Sequence, residues 1–548
     1  MPQYYQIPQF YGIQQQQDSS LLPPETAYDA RNMDTTDGNL RVAKGYVRHI
    51  DALIPNRDRI LRLIASREEH PQFYIVAAEH IYAFNGNAWE SIYEFSEPIS
   101  GQVDYLQTMI GLDDYIIVAT GSTQMVKIKI KDNTAVPFGT GLYSFEGTVT
   151  AYNSASLVVT LSSPLSAEAL RHAPLDGITI NGGFYEVATA DGATVTLKEK
   201  PEAEIAAGNT ATIRGGGSDA PCNFVDMYYS RLLSAGDPNN PCRLYWSAVV
   251  GDGRSIEDWL IVDGAADASG GYVEVGDASG DAIIGFTVLS SQVIIFKRFS
   301  VYRLYGDRPS SFKLERIENY AQPMSNAGCV IKYDAPFYMT MDGLTYYDGN
   351  GITPMGNGVR YLNRFMQEVD SIAESKAIHC NNKLYFTCRT DSESTYDDSV
   401  IVYDIGRAAF MIRDGFLVAD LCSHGGKVYM VNDRRYLYRF DEGDTYDGNP
   451  VNAYWQTQPT DMQYKLATKQ IKEILFRGEE GTVLIDIIVD GRKITESRRI
   501  LPDNSGFTDI PVRTDKARVF ALRFSNEAGG RFGITGGIDV LWEKENRP

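Results

Sequence analysis

One pattern recurs along the chain and limits what it can fold into. A short strand of apolar and aromatic residues is followed by a polar turn and a second strand that usually contains an apolar–Tyr–x–apolar run. It starts at seven positions: Phe73, Tyr115, Arg231, Val293, Phe337, Leu384 and Val428. Their spacings are 42, 116, 62, 44, 47 and 44 residues, and removing the 70 residues of block 145–214 reduces the longest to 46.

A recurrence of about 40–50 residues is typical of the blades of a β-propeller, in which each hairpin forms the middle of a four-stranded blade. The alternative is a β-sandwich or several unrelated β domains, which place strands roughly every 8–12 residues but predict no recurrence at blade length. We therefore predict an all-β chain with a propeller of six to eight blades, seven being the favoured number, over residues 45–144 and 215–453.

Three other regions fall outside the repeat. Residues 145–214 contain short strands separated by turns such as Asn181-Gly-Gly and Asp191-Gly, which predict a small inserted β-barrel or sandwich. After about residue 453 the repeat stops, and the strands of 454–548 predict a C-terminal β-sandwich. Residues 1–44 begin rich in Gln, Tyr and Pro and are predicted to form an N-terminal arm that orders against a neighbour.

Composition excludes several function classes. The formal charge is −20, with 71 acidic against 51 basic residues, which argues against DNA binding through a basic face. No run of roughly 18 apolar residues predicts a membrane-spanning helix, and the N-terminus has no secretory signal pattern, so we expect synthesis in the cytoplasm and no membrane insertion. The cysteines form no C-x-x-C pair and are expected to be buried thiols: Cys222, Cys242, Cys329, Cys380, Cys388 and Cys422.

No motif predicts catalysis, a cofactor or a metal, and we therefore assign no catalytic, cofactor-binding or metal-binding residue. The sialidase loop S-x-D-x-G-x-[ST]-W is absent. The acidic pairs Asp113-Asp114 and Asp397-Asp398 are interpreted as solvated turn residues, since adjacent strand residues point to opposite faces. Three Asp-Gly segments are interpreted as hairpin turns rather than calcium loops, and the run after Arg214 as a flexible link rather than a phosphate loop. The Asp-Gly segments begin at Asp342, Asp348 and Asp444.

Four stretches resemble a known family. Ala30–Tyr46 (ARNMDTTDGNLRVAKGY) is similar to a stretch near the start of many phage tail proteins, where N-m-d…G-x-L-r…G is common. Asn239–Ser247 resembles their N-P…l-y-W-S strand, Ile294–Leu304 their v-v-f-K-e…s-i-y-r-l hairpin, and Asp342–Gly356 their G-i-y-x-f-d-G…i-x-p-i-g turn. The matches cover about residues 20 to 365 in the same order, and the family lacks a block like 145–214.

The family is that of the β-propeller tail-adaptor or tail nozzle proteins of short-tailed bacteriophages, also described as packaged-DNA stabilisation proteins. The resemblance implies a virion protein that forms a homo-oligomeric ring, of six copies, below the portal. Such a ring extends the DNA channel, helps retain packaged DNA and docks portal or adaptor proteins and tail fibres or a needle. Double-stranded DNA passes through without specific binding. The alternative function is a propeller that binds or cleaves glycans.

Overall fold

Strand is the dominant secondary structure of the chain in the computed structural model. The residues that the structure describes are 3–15, 22–138, 144–166, 169–170, 173–174, 177–214, 222–251, 254–259, 261, 267–276, 280–317, 329–332, 335–340, 343–349, 351–355, 362–493, 497–502 and 506–544, with the backbone alone at 144, 214 and 329–332. The chain divides into two compact units. The first comprises Met1–Ile75, Phe84–Glu90 and Glu318–Pro548, and the second Val76–Ala83 and Ser91–Ile317.

The strands of the first quarter of the chain are short and separated by tight turns. Five lie near the N-terminus: β1 (Gln3–Ile7), β2 (Ala27–Arg31), β3 (Met33–Asp34), β4 (Leu40–Val42) and β5 (Tyr46–Ile50). Eight follow: β6 (Ile60–Ala65), β7 (Phe73–Ala77), β8 (His80–Phe84), β9 (Trp89–Glu94), β10 (Asp104–Ile110), β11 (Asp113–Ala119), β12 (Val126–Lys129) and β13 (Thr134–Pro137).

The middle of the chain continues in strands. Seven belong to the block between the hairpins: β14 (Ser144–Asn153), β15 (Val158–Leu161), β16 (Ile178–Ile180), β17 (Gly183–Tyr185), β18 (Val187–Asp191), β19 (Thr194–Leu197) and β20 (Thr210–Arg214). Eight more follow, with a 3-10 turn at Pro309–Ser311: β21 (Phe224–Tyr228), β22 (Arg231–Ala235), β23 (Arg243–Trp246), β24 (Gly271–Glu274), β25 (Ile283–Val288), β26 (Gln292–Lys297), β27 (Val301–Tyr305) and β28 (Lys313–Arg316).

The last part of the chain contains α1 (Asn363–Glu368) and further strands. Up to residue 450 these are β29 (Cys329–Lys332), β30 (Ala335–Thr340), β31 (Gly343–Tyr347), β32 (Ile352–Pro354), β33 (Ala377–Cys380), β34 (Lys383–Cys388), β35 (Asp397–Asp404), β36 (Ala409–Val418), β37 (Asp420–His424), β38 (Lys427–Val431), β39 (Leu437–Phe440), β40 (Thr445–Tyr446) and β41 (Asn449–Pro450). The remainder are β42 (Tyr454–Thr457), β43 (Lys469–Gly478), β44 (Val483–Val489), β45 (Arg492–Lys493), β46 (Arg498–Ile500), β47 (Thr508–Pro511), β48 (Phe520–Asn526) and β49 (Gly533–Lys544).

Consecutive strands pair into antiparallel meanders. In the described part of the chain, six sheets contain four strands in sequence order: β6–β9, β10–β13, β21–β24, β25–β28, β29–β32 and β33–β36. A seventh contains β37, β38 and β39 and takes its fourth strand, β5, from the N-terminal region, with β40 and β41 added beyond it. The division between the two units passes through the sheet β6–β9. All seven predicted hairpins form the second and third strands of these sheets.

The hairpins are apolar because their first strand, the second strand of the meander, is buried. Every residue of β7 and of β22 is buried, as are the last five residues of β26 and of β34. A strand with one solvated face would alternate, whereas a strand covered on both faces is apolar throughout. Each of these strands is therefore enclosed on both faces of its sheet.

The first strands of successive meanders are neighbours. In the second unit β10 lies beside β21 and β21 beside β25, and in the first unit β29, β33, β37 and β6 follow one another in the same way. The same hydrogen bond recurs in each unit. Asp104 Oδ2 accepts the Val225 amide at 3.1 Å, and Asp420 Oδ2 accepts the Leu63 amide at 2.6 Å. Meanders arranged side by side through their first strands define the β-propeller class.

Block 145–214 has its own sheet and core. Its seven strands pair in the order β17-β16-β20-β14-β15-β19-β18. Fifteen buried residues form its apolar cluster, among them Val149, Val159 and Val195. Ser144 pairs directly with Arg214 in the register of β14 and β20. The two ends of the block therefore lie side by side, as an insertion into a surface connection requires.

The C-terminal strands form two six-stranded sheets. One has the order β3-β4-β49-β43-β47 with β1 on β49, and the other has β2-β42-β48-β44-β45 with β46 on β44. Phe476 of the first sheet contacts Phe524 of the second, with ring centroids 6.3 Å apart. Strand β44 alternates buried and half-buried residues over Val483–Ile487, the pattern of a sheet with one covered face.

The N-terminal strands, in the region predicted to form an arm, pair within their own chain. Gln3 pairs with Trp542 and Ile7 with Ile538 in antiparallel register. Strand β2 pairs with β42, and β4 with β49. The physical reason is that each C-terminal sheet has a strand whose backbone groups these segments satisfy. Composition rich in Gln and Tyr describes such edge strands as well as it describes an arm.

Candidate functional site

Asn32 occupies the centre of the best-defined polar site in the first unit, between β2 and β3. Its side chain is 1% exposed, and its backbone has φ +54°, a left-handed conformation that Asn tolerates better than most residues. The Asn32 amide donates to the carbonyl of Ile412 on β36 at 2.9 Å, and the Asn32 carbonyl accepts the Ala43 amide at 2.8 Å. The bend at this residue thus places the N-terminal strands against the propeller.

The Asn32 side chain makes hydrogen bonds to three separate segments. Nδ2 donates to Asp414 Oδ1 at 2.8 Å and to the Asn452 carbonyl at 2.8 Å. Oδ1 accepts the Asp414 amide at 2.9 Å and the Tyr446 hydroxyl at 2.9 Å. One buried amide therefore connects the N-terminal strands, the outer strand of a blade and the chain that enters the C-terminal sandwich. We refer to this arrangement, Asp29–Asp34 with Asp414, Tyr446 and Asn452, as the joint.

Arg31 brings three carboxylates together on the other side of the bend. Its guanidinium lies 2.8 Å from Asp29, 3.1 Å from Asp414 and 2.9 Å from Glu368, and it lies over the Phe365 ring. Burial alone would lower the pKa of Arg31, but the surrounding carboxylates raise it overall. Burial raises the pKa of Asp414, and Arg31 only partly opposes that rise. Buried ion pairs are weak evidence for stability, so we interpret this cluster as fixing register rather than adding free energy.

Other arginines at this end of the first unit bind backbone carbonyls. Arg413 donates to the Met33 carbonyl at 2.6 Å, and Arg435 donates to the carbonyls of Pro55 and Asp58, both at 2.7 Å. The Arg435 guanidinium thus supplies several donors to carbonyls of the loop between β5 and β6, whereas Arg413 donates to one carbonyl of β3. The joint therefore consists of neutral and charge-assisted hydrogen bonds, and its chemistry is that of fixing segments together.

The acidic pairs predicted from sequence behave differently from one another. Asp113 pairs with Lys129 at 2.7 Å, and Asp114 is exposed. Asp398 accepts the amides of Thr390 and Asp391 at 2.9 and 2.8 Å. Asp397, however, is 5% exposed and accepts the Thr387 hydroxyl, so its interpretation as a solvated turn residue was wrong. It starts β35 and bonds to Thr387 of the neighbouring strand β34, a burial that the strand's own sequence does not reveal.

Burial shifts the titration of the groups around Asp397. Burial raises the pKa of Asp397 to about 6, against the lowering effects of the Thr387 hydrogen bond and of Lys376. Burial likewise lowers the pKa of Lys376. The two carboxylates Asp397 and Asp398 bind different partners, which agrees with their pointing to opposite faces. They therefore do not share a site as a general acid and base would.

A glycan-cleaving propeller would be expected to carry an acidic cluster beside a tryptophan. In the second unit Glu257 and Asp258 precede Trp259, which is 9% exposed. Glu257 pairs with Lys127 at 2.7 Å and Asp258 with Arg254 at 2.5 Å. Both carboxylates are buried and occupied by cations of the same unit. The cluster therefore holds the loop after β23 against β12 and offers no open acid pair.

In the described residues, the remaining Asp-Gly segments and cysteines make contacts that stabilise the fold. Asp348 accepts the Gly351 amide at 2.9 Å within a turn, and Asp444 pairs with Arg531 at 2.6 Å. No group of three or more His, Cys, Asp or Glu that could hold a metal occurs in the described ranges. The five cysteines described with their side chains are buried: Cys222, Cys242, Cys380, Cys388 and Cys422. Asp342, the Cys329 side chain and the glycine run after Arg214 lie outside the described residues. No helix of the described chain is both long enough and apolar enough to cross a bilayer.

Comparison with known proteins gives fold-level likeness only. No protein-family model matches the sequence, and no curated protein matches it. Among solved structures, the chain is similar to the computationally designed Ika8 protein, with 10% identity, a TM-score of 0.36, and coverage of 72% of this chain and 99% of that one. It is also similar to BamB from Moraxella catarrhalis, with 10% identity, a TM-score of 0.33, and coverage of 73% and 97%. Hsv2 of Kluyveromyces lactis matches with 8% identity, a TM-score of 0.25, and coverage of 65% and 98%.

Proposed function

We propose that this protein is a structural component of a bacteriophage tail. In this proposal several copies form a ring below the portal, and the ring extends the DNA channel and docks other tail components. The protein acts by geometry rather than by catalysis. Its C-terminal sandwich and insert then serve as attachment modules on a propeller scaffold.

The observation that carries the proposal is the role of the stretch Ala30–Tyr46. This is one of the four segments that resemble phage tail proteins, and it contains Arg31 and Asn32 of the joint. Its last residue, Tyr46, begins β5, the strand that completes the seventh meander. The stretch that resembles the family thus contains Asn32, which ties the N-terminal strands to a blade and to the chain entering the sandwich, as a protein that transmits position between tail components would need.

The net charge supports the same proposal. A channel for DNA has to avoid lasting contacts with phosphates, because each Lys or Arg contact releases counterions and adds affinity. A chain with formal charge −20 repels DNA. A ring multiplies that charge by its copy number, and salt confines the field to roughly 8 Å from the wall. We propose that acidic residues outnumber basic ones on the lumen surface.

The test is the assembly state of the purified protein, measured by size-exclusion chromatography with light scattering and then by negative-stain imaging. We expect a closed ring with a mass that is a multiple of 60.9 kDa, six copies being the predicted number. A monomer at all concentrations would contradict the ring. A ring whose lumen is lined mainly by Lys and Arg would contradict the channel mechanism and point to a DNA clamp.

A further inference from the structure

A cleft of about 670 Å³ opens in the first unit between the blade β33–β36 and the blade that contains β37–β39. The turn after β33 lines it with Asn381 and Asn382, and the turn after β37 with Gly426. Lys383 and Lys427, the first residues of β34 and β38, occupy equivalent positions on its two sides. Its volume is within the range of about 300–1,000 Å³ that is typical of ligand sites.

The acidic residues of this cleft are already engaged. Asp404 accepts the Arg407 amide at 3.1 Å, and Asp441 accepts the Tyr385 hydroxyl at 2.9 Å. Glu442 pairs with Arg439 at 3.2 Å. Each carboxylate therefore has a donor from the same unit. Glu442 and Asp441 lie beside the cations Arg439 and Arg413, the latter at 3.8 Å, whereas the donor to Asp404 is a neutral amide.

The cationic side chains that line the cleft differ in whether they already have hydrogen-bond partners. Arg407 donates to the carbonyls of Thr35 and Phe10 and lies over the Tyr11 ring, so its guanidinium is occupied. In the described residues neither Lys383 nor Lys427 has a side-chain hydrogen bond or an ion pair within 4 Å, although the Lys383 ammonium interacts electrostatically with Asp34. Lys383 is half-buried and Lys427 exposed. Two ammonium groups with open donor positions therefore face one cleft, in a chain whose net charge is −20.

We propose that this lysine cleft, defined by Lys383, Lys427 and Asn382, binds the carboxylate side chains of an acidic peptide segment carried by a partner protein. Ammonium groups form their strongest hydrogen bonds to carboxylates, and the Asn382 amide adds neutral donors. A DNA backbone fits less well, because a stable phosphate interface uses several basic contacts and the net charge of the chain opposes it. The proposal is independent of ring formation.

The test is fluorescence anisotropy of the full-length protein with a labelled hexaglutamate peptide at low salt, with labelled hexaglutamine as the neutral probe. We expect hexaglutamate alone to bind, and its binding to weaken as salt is raised. The K383Q/K427Q variant should weaken binding about tenfold or more, and each single variant by an intermediate factor. The matched control is K131Q/K465Q, which removes two exposed lysines elsewhere and should change affinity less than about twofold.

Defined outcomes of the same assay would contradict the proposed lysine cleft. Absence of hexaglutamate binding to the wild type, or an equal loss in the control variant, would overturn the site. Displacement of the peptide by a short DNA duplex or by inorganic phosphate at similar concentrations would overturn the peptide assignment in favour of a phosphate ligand. Thermal melts of all variants establish that the blades remain folded, since every substitution is on a half-buried or exposed side chain.

Discussion

Replacing Asn32 with Ala tests whether hydrogen bonds hold the joint together. The substitution removes the partner of the Asp414 amide, the Tyr446 hydroxyl and the Asn452 carbonyl. Each buried group left without a partner costs about 1 kcal/mol at the low end of measured values. Placing Ala at φ +54° adds about 1 kcal/mol. The expected loss is roughly 4 kcal/mol of local stability, which is close to the largest effects of single substitutions.

Stability has to be measured segment by segment, because a chain with several domains has no single free energy of unfolding. Hydrogen exchange followed by mass spectrometry on peptides from 27–34, 409–418 and 444–457 reports on the three segments of the joint. A loss of 4 kcal/mol corresponds to roughly a thousandfold faster exchange through local opening. N32G relieves the backbone strain and should exchange about fivefold more slowly than N32A, a difference of about 1 kcal/mol.

The matched control is N381A, because Asn381 has φ +53° and its exposed side chain donates only to the Gly426 carbonyl. It carries the same backbone cost without the buried hydrogen bonds, and should show only a small change near its own turn. Unchanged exchange in N32A, or an equal effect in N381A, would refute the account of the joint. Y446F should give about a quarter of the N32A effect in free energy, since it removes one hydrogen bond.

Three further predictions concern burial. Because the pKa of Asp397 is raised to about 6, its stabilising contribution is present below the unfolded pKa of about 3.9 and is lost as pH rises through 6. Exchange in the β35 peptide should therefore quicken between pH 4 and 7 once intrinsic rates are corrected for; D397N should remove this dependence and D398N keep it. Burial raises the pKa of Cys222 to about 12 and also raises the pKa of Cys380, Cys388 and Cys422, so Ellman's reagent should leave these four unmodified until urea unfolds the chain; rapid native labelling of any of them would contradict the burial. V195D should unfold block 145–214 alone, since Val195 is in its own core, whereas T189D on the exposed face should not; loss of protection throughout the second unit would show that the block belongs to the propeller core.

The fold class could be predicted from sequence because propeller blades impose a period. A middle strand that is covered on both faces is mostly apolar, and its recurrence marks each blade. The chain shows this in Phe73–Ala77, which is entirely buried. Arg231–Ala235 is also entirely buried, and its two polar side chains, Arg231 and Ser234, donate hydrogen bonds to backbone carbonyls. The closed ring of seven blades stays a prediction, as do the domain boundaries.

The register of the third strands against the second strands could not be predicted from the sequence. The recurring apolar–Tyr–x–apolar run predicts equivalent blade positions for five tyrosines, and all five lie in third strands: Tyr82, Tyr302, Tyr346, Tyr403 and Tyr438. Their registers differ. Tyr302 and Tyr438 pair with Ile295 and Met430, two residues beyond the start of their hairpins, whereas Tyr346 and Tyr403 pair with Phe337 and Leu384, the first residues of theirs. A turn of different length shifts the third strand along the second, so the same run can occupy different positions in the blade.

The joint was missed for a related reason. Asn32 bonds to residues that are 382 and 420 positions away, and no periodic pattern connects positions so distant. The available signal was chemical: Asn is among the few residues that tolerate a left-handed backbone, and here it follows Arg31 between two short strands. An Asn at such a bend can therefore mark a buried joint, even though polar residues are mostly exposed.

N-terminal strands complete both a propeller blade and the C-terminal sheets, and this limits how the parts of the chain can move apart. β5 completes the blade of β37–β39, and β1 and β2 complete the sheets of β49 and β42. The entropy of closing such long loops is lost once, at folding, and the loss grows only slowly with loop length. In return, neither the blade of β37–β39 nor the C-terminal sandwich can separate from the N-terminal strands without breaking strand pairs that originate in residues 3–50. Such a unit is suited to bearing force between partners, whereas a lid or a hinged catalytic cleft would need segments that open at low cost.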